Sequence, residues 1–155
     1  MQGNPPRHRT KARHIRVPPF LPVPLRARCD GWTALRQAQF LVALARTRSV
    51  AAAAREVGLS RVSAYQLRNR TGAESFAASW DAVQAGTMVP LRKFTPEERR
   101  IAAIEGLVKP IVWRGRCVAI AQKCDDSALL GLFRRLSAQA GKEDFMALEA
   151  GAFHP

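Results

Sequence analysis

Seven side chains suited to reading a polyanion, Arg61, Val62, Tyr65, Gln66, Arg68, Asn69 and Arg70, fall in one ten-residue run directly after Ser60. A guanidinium forks onto guanine or a phosphate, a side-chain amide onto adenine, and an apolar group meets the methyl of thymine. The run holds no His, Cys, Asp or Glu, so it suits recognition rather than bond making. Arg61 is expected to make the leading base or phosphate contact, with Tyr65 and Gln66 probing base edges or a thymine methyl, Val62 on the same outward face and Ser60 completing the DNA-binding set. Asn69, with Arg68 and Arg70, is expected to hold the sugar-phosphate backbone.

A helix over Arg61 to Asn69 presents these residues if Ala64 and Leu67, three apart, turn to the core. Ser60 can cap it with its side-chain oxygen. Upstream, Ser49 can cap a helix from Val50 to Val57, which is barely two turns long and needs tertiary support. Gly58 falls where the chain must leave that helix through a left-handed conformation, at a cost of about 1–2 kcal/mol for a residue with a Cβ. The small side chains of Ala53 and Ala54 let two short helices cross closely, and Leu59 is expected to bury under the turn. Before them, Thr33 can cap a helix with Leu35, Ala38, Phe40, Leu41, Val42, Leu44 and Ala45 at three- and four-residue spacing. After them, Thr71 and Glu74 have the spacing of a capping box for a helix carrying Phe76, Trp80 and Val83.

The stretch SVAAAAREVGLSRVSAYQLRNR, Ser49 to Arg70, resembles the helix-turn-helix of bacterial and phage DNA-binding proteins. In that motif a small residue stands four before the turn glycine, as Ala54 stands before Gly58. Apolar residues stand where this chain has Val57, Leu59, Ala64 and Leu67. Ala64 departs from the pattern, since a branched aliphatic is commoner there. The bland alternative is an alanine-rich helical hairpin in an ordinary core.

Charge points the same way. The 155 residues carry 25 Lys or Arg against 12 acids, a net charge of +13, which favours a polyanionic partner, nucleic acid ahead of an acidic membrane. Residues 1–29 alone hold seven Lys or Arg, no acid, and six of the ten prolines (Pro5, Pro6, Pro18, Pro19, Pro22 and Pro24). Prolines at that density block continuous helix, so this segment is expected to be a disordered, solvated basic arm. Such an arm either follows DNA phosphates or is a passive tail. No stretch has the roughly 20 apolar residues of a membrane span, and no secretory signal opens the chain, so a cytoplasmic location is expected. Cys29, Cys117 and Cys124 form no CxxC pair, and His8, His14 and His154 lie far from them in sequence. Neither a metal nor any other cofactor is indicated, and Cys117 and Cys124 are expected to be buried small hydrophobes.

The second half changes character. Thr95, Pro96, Glu97 and Glu98 form a strong helix start, for a helix reaching about Glu105 or Gly106. Ile111 to Trp113 and Arg116 to Ala121 read as two strands joined at Arg114-Gly115, a weaker turn than Asn-Gly. The hairpin is expected to pack on the preceding helix, the last helix or another subunit, because it is marginal alone. Asp125 or Asp126 can cap a last main helix with Leu129, Leu132, Phe133 and Leu136 on one face. The run AAIEGLVKPIVWRGRCVAIAQKCDDSALLGLF resembles a segment of small phage terminase subunits and related helix-turn-helix proteins, with Ala119 and Cys124 standing where glycine and an aromatic are expected. That resemblance implies DNA binding at the packaging start, self-association, and a large terminase subunit as partner.

Together these features imply a mostly α protein of three parts. Residues 1–29 are the arm, residues 30–86 a helix-turn-helix bundle, and residues 87–155 a helix, β-hairpin and helix that could oligomerise or bind a partner. The function expected is recognition of double-stranded DNA, for packaging or for transcriptional regulation of a bacterial or prophage gene. A protein-interaction module without DNA binding is the remaining alternative. The chain has no phosphate-binding GxxxxGK[ST], no HExxH and no GxSxG, and Asp125-Asp126 with Glu105 reads as a cap more readily than as a metal site, so no enzyme activity is expected.

Overall fold

Helix α1 (Ala34–Thr47) starts where Thr33 accepts the Arg36 amide on its hydroxyl oxygen at 3.2 Å. Its Gln37, Ala38, and every residue from Phe40 to Leu44 are buried, so α1 is a central rod rather than a surface helix with one apolar stripe, while Leu35 is exposed. The computed structural model that shows this describes residues 15–25, 31–87, 89, 92–124 and 126–151, with the side chains of 127, 128 and 143–150 left out. Expectations for residues 1–14, 26–29 (Cys29 included) and Asp125 lie outside the described residues.

Around α1 stand α2 (Val50–Glu56), α3 (Arg61–Arg68) and α4 (Glu74–Ala85), with Ala53, Ala54, Ala64, Leu67, Phe76, Trp80 and Val83 filling one core. Ser49 caps α2 and Ser60 caps α3, each accepting the amide three residues on. Helix α4 begins differently from the capping box expected at Thr71. Its N-cap is Ala73 without any side-chain bond, and the Glu74 carboxylate instead accepts the Gly72 amide at 3.3 Å.

Residues 15–25 correct the arm reading. This segment is extended and runs through the core: Pro18, Phe20, Leu21 and Val23 are buried, and the Phe20 ring lies edge-on to Phe76 at 5.8 Å. An extended backbone brings polar groups inside, and each must find a partner. Phe20 and Val108 exchange amide-to-carbonyl bonds of 3.2 and 2.8 Å, and the Leu21 amide donates to Ser75 Oγ at 2.9 Å. Gln37 does the rest. Its Oε1 accepts the Val23 amide at 2.8 Å while its Nε2 donates to the Val23 carbonyl at 3.1 Å, which explains a buried amide in the central helix. The prolines do block helix here, but the result is a packed strap.

Helix α5 (Pro96–Ile104) opens with a complete capping box. Glu98 donates its amide to Thr95 Oγ1 at 3.2 Å, and its carboxylate accepts the Thr95 amide at 2.8 Å and Arg92 Nη1 at 2.9 Å. Burial alone would push the Glu98 carboxyl up, but the bonds from Arg92 and Thr95 outweigh it and hold its pKa below the ordinary value. A lowered carboxyl stabilises the fold above the unfolded-state value of about 4.3, and that stability is lost as pH falls through the lower folded value. Thermal melts against pH should therefore show parent and Glu98→Gln differing at neutral pH and converging in acid. A gap that persists in acid would mean that the Glu98 charge is not what holds this start.

The hairpin is longer than expected: β1 (Leu107–Trp113) pairs antiparallel with β2 (Arg116–Lys123). Arg114 and Gly115 both take positive φ, 48° and 79°, as a two-residue hairpin turn of the primed type requires, so Arg-Gly serves where Asn-Gly is usual. Pro110 is tolerated because it shares the outward edge with Val108, away from β2, where no ladder donor is needed. The hairpin packs on α1 and the strap: Val108 and Cys117 join the central core, and Gln39 Nε2 reaches the Cys117 carbonyl at 3.5 Å. The core thus crosses the boundary drawn at residue 87. Helix α6 (Asp126–Gly151) leaves Leu130, Phe133 and Leu136 exposed, with Leu129 and Leu132 half-buried.

Candidate nucleic-acid interface

The surface of α3 is set by what lies beneath it. Ala64 and Leu67 are buried, with α3 packed on α2 and α4, and Gly58, at φ 74°, turns the chain so that the Leu59 amide closes α2 onto the Ala54 carbonyl at 2.9 Å. Leu59 is half-buried rather than fully so. With that face inward, Arg61, Val62, Tyr65, Gln66, Asn69 and Arg70 are all exposed or half-exposed. They form one continuous face without an acidic residue.

The expected contacts differ in how free they are. Among the described residues no ion pair involves Arg61 or Arg70. Ser60 Oγ is engaged as the cap, accepting the Ser63 amide at 3.0 Å. Arg68 is the exception: its Nη2 donates to Asp81 Oδ1 at 2.6 Å and its guanidinium lies over the Trp80 ring at 5.7 Å. Tyr65, 42% exposed, also rests on Trp80, with ring centroids 5.6 Å apart. Tyr65 and Arg68 are therefore fixed through α4, and Arg68 acts first as a brace for α3.

Sequence reasoning missed three supports. Trp80 and Asp81 form the platform under α3. Arg48, in a left-handed conformation at the end of α1, donates Nη1 to the Val83 and Gln84 carbonyls at 2.7 and 2.8 Å, placing a cation on the C-terminal end of α4. Arg46 pairs with Glu56, the last residue of α2. The hairpin tip comes to the same place: a Cβ at Gly115 would lie 3.5 Å from Arg46 Cδ and 3.6 Å from Ile15 Cδ1. Arg114 and Arg116 are exposed there. The charged residues Arg46, Arg48 and Glu56 were the available signal, but nothing in a linear reading links them to residue 115.

The chemistry elsewhere is sparse. Burial pushes the Cys117 thiol up, so it stays protonated inside the core, whereas Cys124 is exposed, against expectation, with Sγ donating to the Ile104 carbonyl at 2.8 Å. Among the described residues no group of three or more His, Cys, Asp or Glu could hold a metal, and no helix is long and apolar enough to cross a membrane. No family model, curated protein or solved structure matches the chain.

Proposed function

We propose that this protein binds double-stranded DNA, with α2, the Gly58 turn and α3 acting as a helix-turn-helix and α3 lying in the major groove. The supporting observation is the α3 face, where Arg61, Gln66, Asn69 and Arg70 stand together with no acid among them, on a helix braced by Trp80 and Asp81. Rigid support matters because a base contact depends on placing a fork of donors within a few tenths of an ångström. Arg61 and Gln66 read base edges, Val62 and Tyr65 meet a thymine methyl, and Asn69 and Arg70 hold phosphates, with Ser60 at the helix start. The protein acts by recognition and carries out no chemistry itself. Of the biological settings, its likeness to small terminase subunits favours recognition of phage DNA for packaging, beside a large terminase subunit that would supply the enzymatic work.

The basic residues before Ile15 provide the test of the electrostatic half of this reading. Deleting residues 1–14 removes Arg7, Arg9, Lys11 and Arg13 while sparing every core contact of the strap. If these residues lie on phosphates, the slope of log affinity against log salt should become shallower by up to about 0.9 for each phosphate no longer neutralised, with little change in sequence preference. Duplex titrations at several salt concentrations measure this. An unchanged slope would make residues 1–14 a passive tail, and no binding by the parent at low salt would remove the DNA-binding reading itself.

A further inference from the structure

An open groove of about 850 Å³ runs between α5, the outer face of the hairpin and α6. Arg99, Lys109, Lys123 and Arg135 line it over an apolar floor that includes Leu107 and Leu132, and none of its described lining residues is acidic. Arg100 also reaches it but is paired with Glu97 at 2.7 Å. A phosphate backbone gains nothing from the apolar floor, and a purely apolar segment would leave four cations desolvated and unmatched. The matching occupant is apolar with acids alongside.

The sequence contains such a segment. Glu143 to Glu149 (EDFMALE) carries three acids and no Lys or Arg, with Phe145, Met146 and Leu148 between them, in a chain whose net charge is +13. Its backbone belongs to α6, the same helix that lines the groove from Gly131 to Gln139. A helix advances 1.5 Å per residue, so α6 carries this segment onward from the groove of its own chain. We propose that the groove receives the Glu143–Glu149 segment of a second copy of this chain. Each copy then offers one groove and one acidic segment. The contact either closes reciprocally into a dimer or runs head to tail into a ring or filament. The inference stands apart from DNA binding, since neither element belongs to the α3 face.

Sedimentation of the full-length protein with charge-reversed variants tests it. Lys109→Glu/Lys123→Glu reverses the two strand cations of the groove, and Glu143→Lys/Asp144→Lys/Glu149→Lys reverses the segment. Each variant alone should associate at least about tenfold more weakly than the parent, because like charges then meet. An equimolar mixture of the two should recover association, since the lysines of the altered segment then meet the acids placed on the strands. Circular dichroism checks folding, and Arg99→Glu/Arg135→Glu on the helices replaces the strand variant if that one fails to fold. A monomeric parent, variants that associate like the parent, or a mixture that stays monomeric would each overturn the proposal. So would a groove variant that loses DNA binding while keeping its self-association, because the groove would then be a nucleic-acid surface.

Discussion

Phe20→Ala is expected to lower the melting temperature by roughly 10 °C, the effect of losing about 3–5 kcal/mol when a buried aromatic ring is truncated in a protein of this size. Phe20 is fully buried, its ring meets Phe76, and its backbone ties the strap to Val108. Deleting residues 1–25 should be harsher. It also strips Leu21 and Val23 from the core and leaves the Gln37 amide, Ser75 Oγ and the Val108 backbone without their partners. Each large apolar side chain withdrawn from the core or newly exposed to water costs about 1.5–3 kcal/mol, against a total stability of about 5–15 kcal/mol for a typical domain. The truncated chain should therefore lack a cooperative thermal transition. A truncated protein that melts like the parent would return these residues to the role of a solvated arm.

Trp80→Ala should combine a stability loss with a binding loss. The indole is 1% exposed and packs on Phe40 at 4.7 Å and Phe76 at 6.0 Å, so its truncation belongs to the same class of about 3–5 kcal/mol. It also removes the platform on which Tyr65 and Arg68 rest. DNA affinity measured at a temperature where the variant remains folded should fall as well, although Trp80 itself faces inward. Phe76→Ala is the comparison: it removes similar core packing while leaving the Trp80 platform under Tyr65 and Arg68 in place. Equal binding losses in the two variants would show that the platform contributes nothing beyond general stability.

Local signals in the sequence proved readable where one residue decides the structure. Thr33, Ser49, Ser60 and Thr95 cap the helices expected of them, and Gly58 takes its left-handed turn. Ala64 and Leu67 face inward, which is what leaves the rest of α3 outward. What the sequence concealed depends on partners far along the chain. Proline content shows that residues 15–25 are not helical, but it cannot distinguish a solvated strand from one held by Gln37, Ser75 and Val108. The charge of Arg68 suggests a phosphate contact until Asp81, thirteen residues on, is found beside it. Thr71 and Glu74 have the right spacing for a capping box, yet the turn at Gly72 starts the helix at Glu74 itself. The hairpin was legible as a hairpin, but its support on α1 depends on a pairing register that shifts between Ile111 and Val112 and brings both Val108 and Cys117 into the core.

The α3 face is tested most directly by fluorescence anisotropy of the full-length protein on a duplex selected by the parent from a random-sequence pool. Arg61→Ala/Gln66→Ala should weaken binding to that duplex by about 1–3 kcal/mol for each base interaction removed, while helicity and the thermal melt stay at the parental values. Binding to an unselected duplex should change far less, because the phosphate contacts remain. A double variant that binds the selected duplex as tightly as the parent would contradict the assignment of α3 as the element that reads DNA.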